Sequence, residues 1–419
     1  MTGWAATTVC ALLSPCWKGL VIGVSFGPML GHLGSYRLTF LFWLGVTWLG
    51  YVYVIYPFIL LILALLHRVR PVMRDDFLPT VSVLISAHNE ERDIGWKVNE
   101  TLRWEYPPDR LEVLVASDAS EDRTDEIVRA IKNPRLTFVR MESRGGKGAA
   151  LNRLARSARG ELLFFTDANA HIEAHCLRRM ARHFADERVG CVTGMTSAEP
   201  QSDRVIGSGD RLYLGYETAI SHLESQRGSV LVCDGAVFCI RRSLFRPVSP
   251  DLANDLELPM RIGYAGYWVL QEPAAKAIEN ETNSPREEFT RRRRICAQGI
   301  LAMWRLRQTL RGLRGWQFVS HKFLRWLTLI PLLCLLVSSA PLKGGPVFHL
   351  LLWLQSLFYL FALAGLLLTL AGRRANRLMS GPLFILLGSA GALAGVVDAC
   401  LGRRFAVWEI PKLSRGRIG

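Results

Sequence analysis

Between roughly residues 79 and 195, short apolar runs alternate with amphipathic stretches: Val81 to Ala87, Leu111 to Ser117, Leu136 to Arg140, Leu162 to Thr166 and Val189 to Thr193. Runs this short, bounded by turn-prone residues, read as strands covered on both faces, and the stretches between them read as the covering helices. The pattern predicts an α/β domain built on a mostly parallel, Rossmann-like sheet. Beyond residue 195 an amphipathic stretch spans about Arg211 to Leu223. An apolar strand is expected from Val230 to Ile240, interrupted by Asp234-Gly235, and Asn254-Asp255-Leu-Glu-Leu-Pro-Met-Arg261 follows as a helix start.

The flanks have a different pattern. Leu38 to Leu66 is almost free of charge and long enough to cross a bilayer. His67, Arg68, Arg70 and Arg74 follow at once, a basic flank that marks the cytoplasmic side. Residues 1 to 35 lack the charged start and small-residue site of a cleaved signal peptide. Basic and aromatic residues mix from Trp304 to Trp326, as in helices lying in the interface, and apolar segments follow near 323–341, 347–371 and 382–401. The loop Gly372 to Arg377 and the tail from Gly402 are both basic. Three full crossings would separate them, so one segment is expected to be re-entrant or interfacial, with the Pro331 segment and the Gly-rich last one as candidates. The expected division is an N-terminal membrane segment (1–75), a central α/β domain (76–303), and a region of interfacial and transmembrane helices (304–419).

Composition adds where the domain faces. The net charge of +15 lies largely in Arg clusters beside apolar segments, which favours a membrane surface over nucleic acid as the partner. The nine cysteines form no CxxC pair, so neither a zinc site nor a disulfide framework is indicated.

Three of the predicted strands end in polar turns that carry acids: His88-Asn-Glu-Glu-Arg-Asp93, Ser117-Asp118-Ala-Ser-Glu-Asp122 and Thr166-Asp167-Ala-Asn169. Asn89 is a candidate cap for the helix after the first. Ligands of open α/β sheets sit at this strand edge, and an acid there can hold a divalent cation against a diphosphate. Arg144-Gly-Gly-Lys147-Gly opens a helix with glycines that admit a close ligand and a lysine for phosphate; its spacing is not that of a P-loop.

In this order the motifs VSVLISAHNEE, SDASEDRT, GGKGAALN, FFTDAN, CDGAVFCIRR, NDLELPMRIGYAG and REEFTRRRRICAQG resemble those of the membrane-integrated inverting glycosyltransferases of family 2, whose nucleotide-sugar-binding domain has the GT-A fold. The resemblance covers about residues 79 to 300. It implies that Ala87 and Glu90 border the nucleotide and that Asp118 hydrogen-bonds the base. It places Lys147 near the diphosphate and Gly235 in the segment lining the acceptor pocket. Asp167 matches the first acid of an Asp-x-Asp element that binds Mg²⁺ or Mn²⁺. Asn169 replaces the second, keeping an oxygen ligand but removing a charge.

Asp255 matches the family's catalytic base, and the chemistry asks for one: inversion needs a carboxylate that takes the acceptor hydroxyl's proton. A helix-start aspartate favoured by the dipole is the structural alternative. The run Arg291 to Arg294 departs from the Gln-x-x-Arg-Trp of processive synthases, with Ile295 in place of Trp. Arg294 could still bind diphosphate, while Arg291 to Arg293 could lie against anionic lipid headgroups. The expectation is an inner-membrane, metal-dependent, non-processive glycosyltransferase with a cytosolic catalytic domain. Its expected donor is a UDP-sugar and its acceptor a glycan or lipid-linked sugar. A processive synthase and a catalytically inactive nucleotide-sugar receptor are the alternatives.

Overall fold

The computed structural model describes residues 26–198, 207–279, 285–339, 346–371, 373 and 375–405. The expectations for residues 1–25 and for the tail beyond 405 lie outside them. Strands Val81–Ala87 (β1), Leu111–Ser117 (β2), Leu136–Arg140 (β3) and Leu162–Asp167 (β4) form where the apolar runs stand. β1 lies between β2 and β4, parallel to both, and β3 continues the parallel set beyond β2. Successive side chains of a strand point to opposite faces. Val83, Ile85, Val113, Val115 and Phe164 therefore fill one layer with Ile94 and Val98, and Leu84, Leu114, Leu163 and Phe165 fill the other with Leu151 and Leu154.

His171–Ile172 (β5), Val189–Ala198 (β6), Phe238–Arg241 (β7) and Trp268–Glu279 (β8) complete an eight-stranded sheet of order β3-β2-β1-β4-β7-β6-β8-β5. β7 is antiparallel to β4 and β6, whereas β6 and β8 are parallel. Of the strand expected over Val230 to Ile240, only the end forms. The Asp234 carboxylate accepts from Ala236 N (3.1 Å) and from Thr196 N on β6 (2.6 Å), which bends the chain away from the sheet before Phe238. The pattern also missed β8, because Gln271, Glu272 and Pro273 interrupt its apolar run.

Among the described residues three helices are long and apolar enough to cross a membrane: Tyr36–Leu66, Pro346–Leu370 and Leu378–Cys400. The segment expected near 323–341 is not a straight span. Gly312–Trp326 and Leu329–Ser339 meet at a bend of 56°. Pro331 has no N–H to donate back across that break, so the helix restarts with proline in its first turn. The Gly-rich helix, Arg377–Cys400, packs along Pro285–Arg305, the helix that carries the arginine run. A Cβ added at Gly391 would stand 2.6 Å from the Phe289 carbonyl oxygen, so glycine is what permits the approach. Arg293 pairs with Asp398 across the same contact. On the N-terminal side, Tyr56 donates to Glu224 (2.9 Å), while the two ring nitrogens of His321 meet Glu224 (2.8 Å) and Glu217 (3.1 Å).

This packing makes Gly391→Leu a test of the helix contact. Forcing a side chain into a filled space costs about 1–3 kcal/mol, and thermal unfolding in detergent should show a lowered Tm. An unchanged Tm would mean that the two helices are not in contact.

Candidate active site

β1, β2 and β4 run parallel, so their carboxyl ends deliver three polar loops to one edge of the sheet. Ala87 closes β1 and is buried. Asn89 does not cap the next helix, which starts at Ile94 after Asp93. Its amide oxygen instead accepts from Glu121 N (2.8 Å), and its own N–H donates to Ser120 Oγ (3.1 Å), so it laces the first loop to the second. Asn89 (φ 56°) and Ala119 (φ 52°) both hold the left-handed conformation that non-glycine residues seldom adopt, one at each strand end. Glu90 is buried, with its backbone N–H on Thr124 Oγ1 at 2.8 Å.

Asp118, at the end of β2, accepts from Gly145 N (2.7 Å) through one oxygen and from Gly146 N (2.8 Å) through the other. It therefore shapes the glycine turn, leaving the second lone pairs of its oxygens for any ligand. Gly146 sits at φ 83°, a conformation that requires glycine here. The turn aims Lys147 across the edge, where its Nζ reaches Asp167 Oδ1 at 2.5 Å and the Gly235 carbonyl at 3.5 Å. Asp167 ends β4; Ala170 N turns back to its carbonyl (3.3 Å), and Asn169 is partly buried within that turn.

Asp255 lies in the first turn of the Asn254–Tyr264 helix, held there by Cys233 N on its carbonyl oxygen (2.8 Å). Among the described residues no other residue donates a hydrogen bond to its carboxylate. Burial pushes that carboxyl above the ordinary aspartate value; Lys147 opposes the shift, and the charges of Asp167 and Asp234 add to it. A Cβ at Gly235 would stand 2.9 Å from Asp255 Oδ2, so Gly235 makes room for the carboxylate. Asp234, which the sequence reading passed over, is also shifted upward by burial. Its place beside Gly235 in CDGAVF was the available signal.

The arginine run divides by partner. Arg291 and Arg292 bind Glu288, which burial pushes up but the two guanidiniums hold down to about 2. With Arg293 on Asp398, these side chains engage the protein itself. Arg294 turns inward. Burial lowers its pKa, with Arg291 adding, while Asp255 and Asp167 act against the shift. No hydrogen bond or ion pair is made by it among the described residues.

A divalent cation fits the donor set. Among the described residues no cluster of three or more His, Cys, Asp or Glu forms a metal cage. Hard cations such as Mg²⁺ often take one or two protein oxygens and complete their shell from substrate phosphates. Asp167 and Asn169 can supply two, in a place where Asp167, Asp234 and Asp255 concentrate negative charge.

Residues 82–248 match the model of the glycosyl transferase family 2. This segment is a family 2 glycosyltransferase domain. The probable glycosyltransferase YdaM of Bacillus subtilis (strain 168) is 30% identical over 268 residues, 59% of this chain and 57% of that protein. The beta-monoglucosyldiacylglycerol synthase of Synechocystis sp. is 35% identical over 118 residues, 27% of this chain and 25% of that protein. The matches thus span just over half of one relative's length and a quarter of the other's. A mannosyltransferase from Pyrobaculum calidifontis, solved with GDP-Man and Mn²⁺, has the same fold. Its TM-score is 0.59 at 20% identity, over 89% of this chain and 97% of that one.

Within the family 2 domain the tight approach at Gly235 is testable. Gly235→Ala should displace the Asp255 carboxylate, and sugar transfer should fall by at least about tenfold with Asp255 in the role of base proposed below. Nucleotide affinity, measured by calorimetry, should stay within about twofold. An alanine variant with full transfer would mean that the carboxylate has more room than this geometry gives.

Proposed function

We propose that this protein is a membrane-bound, inverting glycosyltransferase that takes a sugar from a nucleotide-sugar donor, with a UDP-sugar expected, and gives it to a lipid-linked or polysaccharide acceptor. Its catalytic domain would face the cytosol at a bacterial-type inner membrane, in keeping with the basic residues that follow the first apolar helix. The observation that carries the reading is the Asp255 carboxylate, which takes no hydrogen bond from another described residue yet shares one edge with Lys147, Asp167 and Arg294. An acid with a raised pKa beside inward-facing cations suits a base poised next to a departing anion.

In this mechanism the acceptor hydroxyl attacks the anomeric carbon from the side opposite the nucleoside diphosphate. A bond forms from that oxygen to the carbon as the carbon–oxygen bond to the diphosphate breaks, and the hydroxyl proton passes to Asp255. Lys147 and Arg294 present positive charge to the diphosphate oxygens. Asp118 keeps the glycine turn, and with it Lys147, in position. Asp167 and Asn169 would hold Mg²⁺ or Mn²⁺. When bound, that ion neutralises charge on the leaving diphosphate.

The name of the diacylglycerol-glucosylating relative favours a lipid acceptor, as do membrane helices packed directly on the catalytic domain. Transfer of one sugar per encounter is favoured over processive synthesis. Ile295 stands where processive enzymes carry Trp, and it is exposed rather than turned into the site.

Asp255→Asn keeps the shape but cannot accept a proton, so transfer should fall on the order of 10²- to 10⁴-fold while Tm and donor affinity hold. Because the wild-type base must be ionised and burial raises its pKa, the acid limb of kcat/KM should lie above the ordinary aspartate range. Initial rates with UDP-glucose, UDP-N-acetylglucosamine and GDP-mannose check both points. Retention of more than about a tenth of the rate would move the base elsewhere.

For the metal, Asp167→Ala should abolish the Mn²⁺-dependent part of donor binding in calorimetric titrations. Equal affinity for variant and wild type in Mn²⁺ would remove Asp167 from the site.

A further inference from the structure

Lys97 is a lysine with no exposed surface, in the middle of the Ile94–Thr101 helix. A buried ammonium is costly unless it is paired and hydrogen-bonded, so where it points is informative. Its Nζ donates to the Ala170 carbonyl at 2.6 Å, lies 3.7 Å from Glu100 Oε2, and stands 5.6 Å from the centre of the Trp104 ring. Ala170 is the residue whose N–H closes the turn on Asp167. The same helix holds the next two residues as well. Glu100 Oε1 accepts from Ile172 N at 3.2 Å and lies 2.5 Å from His171 Nδ1, and the Trp96 ring packs 5.2 Å from the His171 ring.

Resting on the metal-dependent reading above, we propose that Lys97 is a positioning residue for the cation site: by holding the Ala170 carbonyl it fixes the Asp167–Asn169 turn so that both side-chain oxygens face one ion. The chemistry of this chain makes such support necessary. With Asn169 in place of a second acid, the turn offers one formal charge, so affinity depends on having the two oxygens already in place. Lys97 touches neither nucleotide nor sugar, and its effect passes through the backbone of the turn. Outer-shell partners of this kind typically contribute about 10- to 100-fold in metal affinity.

The test uses the full-length protein in detergent, with Mn²⁺ as the ion and UDP or GDP as the nucleotide. Bound Mn²⁺ is read from its paramagnetic resonance, and nucleotide affinity without metal from calorimetry. Lys97→Met should raise the half-saturating Mn²⁺ concentration by about 10- to 100-fold and leave metal-free nucleotide affinity within about twofold. Lys97→Gln, which keeps an N–H donor, should recover part of the loss and carries the test if the methionine variant does not fold. A purely structural lysine predicts a lowered Tm with unchanged Mn²⁺ affinity in the folded fraction, and that result would overturn the proposal. Asp167→Ala, run alongside, separates two failures. If it too binds Mn²⁺ normally, the metal site itself is misplaced. If it alone loses Mn²⁺, only the role of Lys97 falls.

Discussion

A strand buried on both faces that ends in a carboxylate sets the terms for this domain. β4 runs through the core from Leu162 to Phe165 and then presents Asp167 at the sheet edge. A carboxylate at the rim of an apolar layer needs positive charge close by, because leaving one partner of a partly buried pair unanswered costs several kcal/mol. Lys147 supplies it at 2.5 Å. The reach of Lys147 depends on the glycine turn, the turn on Asp118, and Asp118 on the register of β2 against β1. The edge is thus assembled as a chain of dependencies, each link a hydrogen bond or ion pair to the next strand.

The same edge holds charges that the protein leaves only partly answered. Burial pushes Asp234 and Asp255 upward and the Asp167 charge adds to both, while Arg294 faces the same space without an ion pair among the described residues. Holding acids and a guanidinium apart in a half-buried site is unfavourable for the empty protein. In the proposed reaction, donor phosphate would meet the cations and the acceptor hydroxyl would meet Asp255. Fixed charges of this kind need no reorganisation as the reaction proceeds.

The membrane-type helices are fastened to the catalytic domain by polar contacts. Tyr56 from the first apolar helix and His321 from the bent helix pair both bind Glu224 of the Gly207–Ser225 helix. On the other side, Arg293 and Asp398 join the arginine helix to the last apolar one. Arg293 and Arg294 are adjacent in sequence. The helix that carries Arg294 is therefore the one clamped to the last candidate membrane span.

What the sequence determined by itself was local. The first four strands, the acids at their ends, the glycine turn with Lys147 and the position of Asp255 at a helix start all follow from short apolar runs and turn chemistry, which act over a few residues. Motif order then carried the family resemblance. Tertiary structure alone decided the rest, because it depends on contacts between distant segments. It gave Arg291 to Arg293 carboxylate partners and Arg294 none among the described residues, and it converted most of an expected strand at 230–240 into the bend that Asp234 holds. It set Gly235 against Asp255 and laid the Gly-rich helix along the arginine helix. It also brought Lys97 under the Asp167–Asn169 turn, some seventy residues away in the chain. No periodicity marks that lysine, since a buried ammonium is tolerated only where the fold delivers a carbonyl and a carboxylate to meet it.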